Sequence, residues 1–112
     1  MSLEEIRELF DQVFNKAKEK IGSEMASWHR VFQFVLDDGT QFYIELSGGE
    51  YKIGEGKHPS PVATLSTDRN TLLQILRGEV DAMAAFMRGK LRITGNVLET
   101  AKLRQLIEAS RS

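Results

Sequence analysis

Apolar residues recur at helical spacing through residues 2–21, where Ile6, Leu9, Phe10, Val13, Phe14, Ala17 and Ile21 fall on one face. The spacing predicts an amphipathic helix. Ser2, with Glu5 three residues later, reads as a capping box, and Gly22 as the stop. Glu4, Glu5 and Glu8 lie near its start and Lys16, Lys18 and Lys20 near its end, an order that complements the helix dipole.

From residue 30 to 54 the period changes to two. A first strand, Val31 to Leu36, alternates Phe32, Phe34 and Leu36, and a second, Thr40 to Leu46, alternates Phe42, Ile44 and Leu46. A two-residue turn at Asp38-Gly39 would set Leu36 opposite Gln41 and split the two apolar rows. A three-residue loop, Asp37-Asp38-Gly39, sets Phe34 opposite Phe42 and Phe32 opposite Ile44, so both rows share one side. A hairpin at Gly48-Gly49 then sets Leu46 opposite Tyr51 and Ile44 opposite Ile53. The other face, with Gln33, Gln41, Tyr43, Glu45 and Lys52, is mostly polar. Such a sheet is expected to be antiparallel, with helices over its dry face.

Residues 54–61 contain two prolines and read as a loop. A fourth strand is expected from Val62 to Ser66. Thr67-Asp68 then caps a helix that buries Leu72, Leu73, Ile75 and Leu76 and ends at Gly78. Asp81 caps a second short helix through Met87, ended by Gly89. The fifth strand, Lys90 to Thr94, turns Leu91 and Ile93 inward. Asn96 is expected to cap a final helix with Glu99 at N3, its apolar positions being Val97, Leu98, Ala101, Leu103, Leu106 and Ile107. The reading is one α+β domain over residues 1–112, a five-stranded, mainly antiparallel sheet with helices packed on one face.

Composition narrows the function by exclusion. A chain of 112 residues suits one domain. It has no cysteine, which removes disulfides, thiolate metal sites and cysteine nucleophiles. Fifteen basic against sixteen acidic residues leave a net charge of −1, without the footprint of a nucleic-acid binder. No apolar run is long enough for a membrane span, and the acidic N-terminus is no signal peptide. The C-terminal Ala109-Ser110-Arg111-Ser112 lacks the final Leu of a peroxisomal address. A cytoplasmic protein is expected.

Catalytic and metal motifs are not found. His29 and His58 stand in separate segments, and there is no Gly-x-Ser-x-Gly elbow and no His pair at i, i+4. Gly48, Gly49, Gly54 and Gly56 match neither a phosphate loop nor a dinucleotide fingerprint, so no cofactor is expected. Lys102, Arg104 and Arg111 are balanced by Glu99 and Glu108. They read as a solvated helix face, or as weak attraction to anionic head groups at a membrane surface.

The informative stretch runs from Asp81 to Gly95. Met83, Phe86 and Met87 share one helical face, and that face either packs as core or lines a cavity together with Phe34, Phe42 and Ile44. The pattern Met83-x-Ala85-Phe86-Met87-x-Gly89-Lys90-Leu91-x-Ile93-x-Gly95 closely resembles the signature of the sterol carrier protein 2 family. So does Ala63-Thr64-Leu65-Ser66-Thr67 followed by a Leu-rich helix ending at Gly78, and so does the final helix with Lys102 and Leu103. The resemblance spans roughly residues 5–110.

It implies an apolar tunnel between sheet and helices, and non-enzymatic binding and transfer of sterols, fatty acids, acyl-CoAs or phospholipids. Phe34, Phe42, Leu76, Met83, Phe86, Met87 and Ile93 would form the wall, with Leu103, Leu106 and Ile107 on a mobile terminal lid. The missing peroxisomal terminus implies a stand-alone prokaryotic member. The alternatives are an accessory subunit that presents a lipophilic intermediate to a partner enzyme, and a detached module of a larger lipid enzyme.

Overall fold

The computed structural model describes residues 3–111. In chain order they form α1 (Glu4–Met25), β1 (His29–Leu36), β2 (Gln41–Ser47), β3 (Glu50–Glu55), β4 (Ala63–Thr67), α2 (Arg69–Leu76), α3 (Ala82–Met87), β5 (Arg92–Gly95), a 3-10 turn (Val97–Thr100) and α4 (Ala101–Arg111). The five strands make one sheet in the order β3-β2-β1-β4-β5. Three neighbouring pairs are antiparallel, and β1 with β4 is parallel.

The β1–β2 register follows from the Asp37-Asp38-Gly39 loop. Phe34 pairs with Phe42 and Phe32 with Ile44. The Leu36 amide donates to the Thr40 carbonyl at 2.8 Å, and Gly39 sits at φ +91°, where a Cβ would be strained. Across the next hairpin Ile44 pairs with Ile53 and Leu46 with Tyr51. The inner face therefore presents one continuous apolar row to the helices.

Helix α1 lies over that row. The Phe10 ring meets Phe34 and Phe42 edge-on, with centroids 5.8 and 6.2 Å away, and Phe14 stacks on Tyr51 at 3.8 Å. Helix α4 packs against α1, and its Leu106 is only 1% exposed.

Several local expectations are corrected. The expected cap at Ser2 lies outside the described residues. Gly22 does not stop α1; one non-helical residue, Ile21, interrupts it, and a further turn carries Met25 into the core. Gln33, expected on a wet face, is buried because the segment after β3 folds over it. Its Nε2 donates to the carbonyls of Phe42 at 3.1 Å and Gly56 at 2.9 Å, and its Oε1 accepts from the His58 amide at 2.8 Å. Those bonds satisfy an amide that would otherwise be costly to bury.

The last segment also differs. Asn96 makes no side-chain cap, and a 3-10 turn precedes α4. A 3-10 turn advances three residues per turn, not 3.6, so Val97 and Leu98 fall out of phase with Leu103 and Leu106. They emerge at 43% and 87% exposure instead of joining the buried face.

An apolar cavity as candidate functional site

Two aspartate caps set the helices that enclose the site. Asp68 Oδ1 accepts from the Thr71 amide at 2.7 Å, and this bond above all holds the Asp68 carboxyl below the usual carboxylate range. Asp81 Oδ2 accepts from the Ala84 amide at 3.3 Å and starts α3. Thr67 Oγ1 donates to the Lys90 carbonyl at 2.8 Å, pinning the return of the chain beside β4.

Between the inner face of the sheet and the helices lies a cavity of about 210 Å³. Its floor is Phe34 of β1, Leu65 and Thr67 of β4 and Ile93 of β5. One wall is Phe10 and Val13 of α1 with Leu72, Ile75 and Leu76 of α2. The adjoining wall is Leu91 with Leu103, Leu106 and Ile107 of α4, which packs along α1. The rim is Ala82, Met83 and Phe86 of α3, then Val97, Leu98 and Thr100 of the 3-10 turn, with Ala101 and Arg104.

The three polar lining residues are already engaged. Thr67 bonds the Lys90 carbonyl, Thr100 Oγ1 donates to the Val97 carbonyl, and Arg104 Nε lies 3.3 Å from both Asp81 and Glu108. A second concavity of about 630 Å³ lies at His29, Arg30, Glu45, Ser60 and Asn96. It is more open and about half polar, and its Arg30 and Glu99 are spent on one another at 2.8 Å. The smaller apolar cavity is the better site for an apolar guest.

Glu99 anchors the 3-10 turn. Its carboxylate accepts from Arg30 Nε at 2.8 Å and Lys102 Nζ at 2.9 Å. The Arg30 bond first, and the Lys102 bond second, hold that carboxyl below its ordinary range. Lys102 also sits 5.9 Å from the centre of the Trp28 ring.

Eight of the ten residues singled out from the sequence line the cavity: Phe34, Leu76, Met83, Phe86, Ile93, Leu103, Leu106 and Ile107. Phe42 does not; it is fully buried behind Phe34. Met87 does not either, pointing into solvent at 79% exposure. Phe10 and Val13 line the cavity as well. Their helical period marked them as buried but carried no sign of what they would face. Helix α3 contributes one buried residue, Ala85, whereas α4 is seated through Leu103 and Leu106.

Among the described residues no group of His, Asp or Glu is placed to hold a metal ion, and no helix is long and apolar enough to cross a membrane.

A profile of the SCP-2 sterol transfer family matches residues 10–108. Mouse hydroxysteroid dehydrogenase-like protein 2 is 29% identical over 102 residues, a match covering 87% of this chain and 21% of that protein. The chain thus spans only about a fifth to a quarter of the length of the curated relatives it matches. Palmitated SCP2L2 from Aedes aegypti superposes with a TM-score of 0.68 at 20% identity, over 88% of this chain and 90% of that one. The UbiJ-SCP2 ubiquinone synthesis protein superposes with a TM-score of 0.66 at 12% identity, over 91% of this chain and 81% of that one. At these identities the two structures share the fold.

Proposed function

This chain belongs to the SCP-2 sterol transfer family, and from that premise we propose that it binds a single-chain lipid, a fatty acid or acyl thioester, in the apolar cavity and carries it without covalent chemistry. The observation that supports the reading is the lining. Apolar side chains from the sheet and all four helices converge on about 210 Å³, and Thr67, Thr100 and Arg104 each have an internal partner. A cavity so lined offers a guest burial and holds no free nucleophile beside a base.

Burial suffices for affinity. Each methylene withdrawn from water is worth about 0.8 kcal/mol. The volume also sets a limit. At about 210 Å³ the cavity is below the roughly 300–1,000 Å³ of pockets that enclose drug-sized ligands. A long acyl chain therefore seats fully only when the rim gives way, or leaves one end in the mouth. Either outcome favours a flexible chain over a rigid ring system. We place this activity in the cytoplasm and in residues 1–112 acting as one lipid-binding unit.

The test is denaturing extraction and mass spectrometry of the purified chain, with titration of a fluorescent fatty acid. Co-purified acyl lipid and saturable binding are expected. Absence of both, across a panel of fatty acids and acyl-CoAs, overturns the reading. The fold shared with a ubiquinone synthesis protein motivates a second reading, an accessory subunit that holds a lipophilic intermediate for a partner enzyme. Stoichiometric co-purification of such an enzyme selects it.

A further inference from the structure

We propose that Met83 is a modification site: hydrogen peroxide oxidises its thioether, at the rim of the apolar cavity, to methionine sulfoxide, and the sulfoxide weakens the hold on an acyl guest. The inference rests on the lipid-binding reading of the cavity and adds a chemistry that regulates it.

The first observation is what the chain offers an oxidant. It has no cysteine, so no thiol competes with its four methionines for a peroxide. Met25 is shielded in the core at 2% exposure, and Met1 lies outside the described residues. Met83 and Met87 both stand on α3, at 46% and 79% exposure, where a solute as small as a peroxide reaches them.

The second observation separates those two. Met83 lines the cavity and Met87 does not. Among the described residues Met83 is thus the one methionine that is both open to solvent and part of the wall. The wall around it is apolar apart from Thr67, Thr100 and Arg104, each already engaged internally.

The step is a simple oxygen transfer. The thioether sulfur attacks one peroxide oxygen, the S–O bond forms as the O–O bond breaks, and the second oxygen leaves with both protons as water. Sulfur gives up two electrons and the peroxide takes them. A flexible apolar side chain becomes a polar, chiral one whose oxygen accepts hydrogen bonds and holds water at the rim. An acyl chain has no donor to offer that oxygen, so a guest seated against it strips the water without replacing it. Helix α3 buries only Ala85, so the change falls on the mouth of the cavity and spares the core.

The test treats the full chain with hydrogen peroxide, removes the excess with catalase, locates added oxygen by fragmentation mass spectrometry and titrates a fluorescent fatty acid. Oxygen is expected on Met83 and Met87, with Met25 spared in the native fold. The fatty-acid dissociation constant should rise roughly fivefold or more, while the melting point of the guest-free chain stays nearly constant. The two methionine sulfoxide reductases, one for each epimer, should restore mass and affinity together when supplied with dithiothreitol. Each variant is compared with its own untreated form. Met83→Leu should lose the response to peroxide and Met87→Leu should keep it. Met83→Gln, which sets a polar amide where oxidation sets a sulfoxide, should bind more weakly than the parent with no peroxide added.

Three results overturn the proposal: Met83 left unoxidised while Met87 takes up oxygen, unchanged affinity once Met83 carries oxygen, or a Met83→Leu chain that loses affinity on treatment as the parent does. A parent that binds fatty acid equally before and after oxidation removes this inference alone. A parent that binds none before treatment removes the lipid-binding reading, and this inference with it.

Discussion

Phe34 and Phe42 stack face to face across β1 and β2, with centroids 4.8 Å and planes 1° apart, yet only Phe34 reaches the cavity. One ring is wall and the other is packing behind the wall. Phe42→Ala should therefore cost about 3–5 kcal/mol, as for a fully buried aromatic. Phe86→Ala, at a half-open rim position, should cost about 1 kcal/mol or less while weakening fatty-acid binding several-fold. Urea unfolding followed by Trp28 fluorescence and a fatty-acid titration separate the two. Equal stability losses would show that the rim is ordinary core.

A guest that fills the cavity should stabilise the fold by mass action. At a free concentration one hundred times its dissociation constant, a fatty acid adds about 2.7 kcal/mol. The delipidated chain is then expected to melt earlier than the loaded one, by a margin that grows with ligand concentration in a thermal scan. A melting point indifferent to added fatty acid would count against the cavity as a binding site.

Gly95 and Gly39 have nearly the same backbone, at φ +92° and +91°, but different surroundings. A Cβ on Gly95 would lie 2.8 Å from the Val62 carbonyl oxygen and 3.0 Å from the Ala63 Cα, both backbone atoms that cannot step aside; on Gly39 it would meet nothing within 4 Å. Gly39→Ala should cost only the strain of the left-handed region, about 1 kcal/mol. Gly95→Ala should cost more than that and loosen the β4–β5 edge that forms part of the cavity floor. Urea midpoints of the two variants measure the difference.

The Thr40 hydroxyl and amide, and then the Arg69 guanidinium, hold the Asp38 carboxyl down from 3.8 to about 2. The fold thus favours the ionised form. Its stabilising contribution is complete above the unfolded value and disappears as pH falls from about 3.8 to about 2. Asp38→Asn should lower stability at neutral pH and flatten the pH dependence in that window. Denaturant midpoints of both proteins across the acid range test this, and parallel curves would rule out Asp38 as the source. Arg69, 6% exposed with its Nε 3.0 Å from Asp38 Oδ2, links this loop to the start of α2.

What could be read from the sequence was local. The Asp37-Asp38-Gly39 loop fixed its own register because turn geometry and apolar alternation give the same answer over a dozen residues. Asp68 and Asp81 act as caps for the same reason. Gln33 could not be placed, since its burial comes from Gly56 and His58, brought back by a loop far along the chain. The parallel pairing of Phe34 with Leu65 has no local signal either. Helical spacing puts Val97 and Leu98 on the buried face only if the helix begins at Asn96, and the 3-10 turn before α4 breaks that spacing. At the site, apolar period identified most of the lining, but it could not separate Phe42 from Phe34 or foresee that Met87 would face solvent.

The Glu99 clasp has a mechanical consequence. It ties one side of the opening to β1 through Arg30, and α4 behind it is seated along α1. That side is the doorpost. The other side, α3, buries a single alanine and is held at its ends, by Asp81 to Arg104 and by the Lys90 carbonyl to Thr67. Segments with so little buried area open at the lowest cost. We therefore expect α3 to be the leaf of the door, the place where a guest too large for the resting cavity would gain its room at the lowest cost.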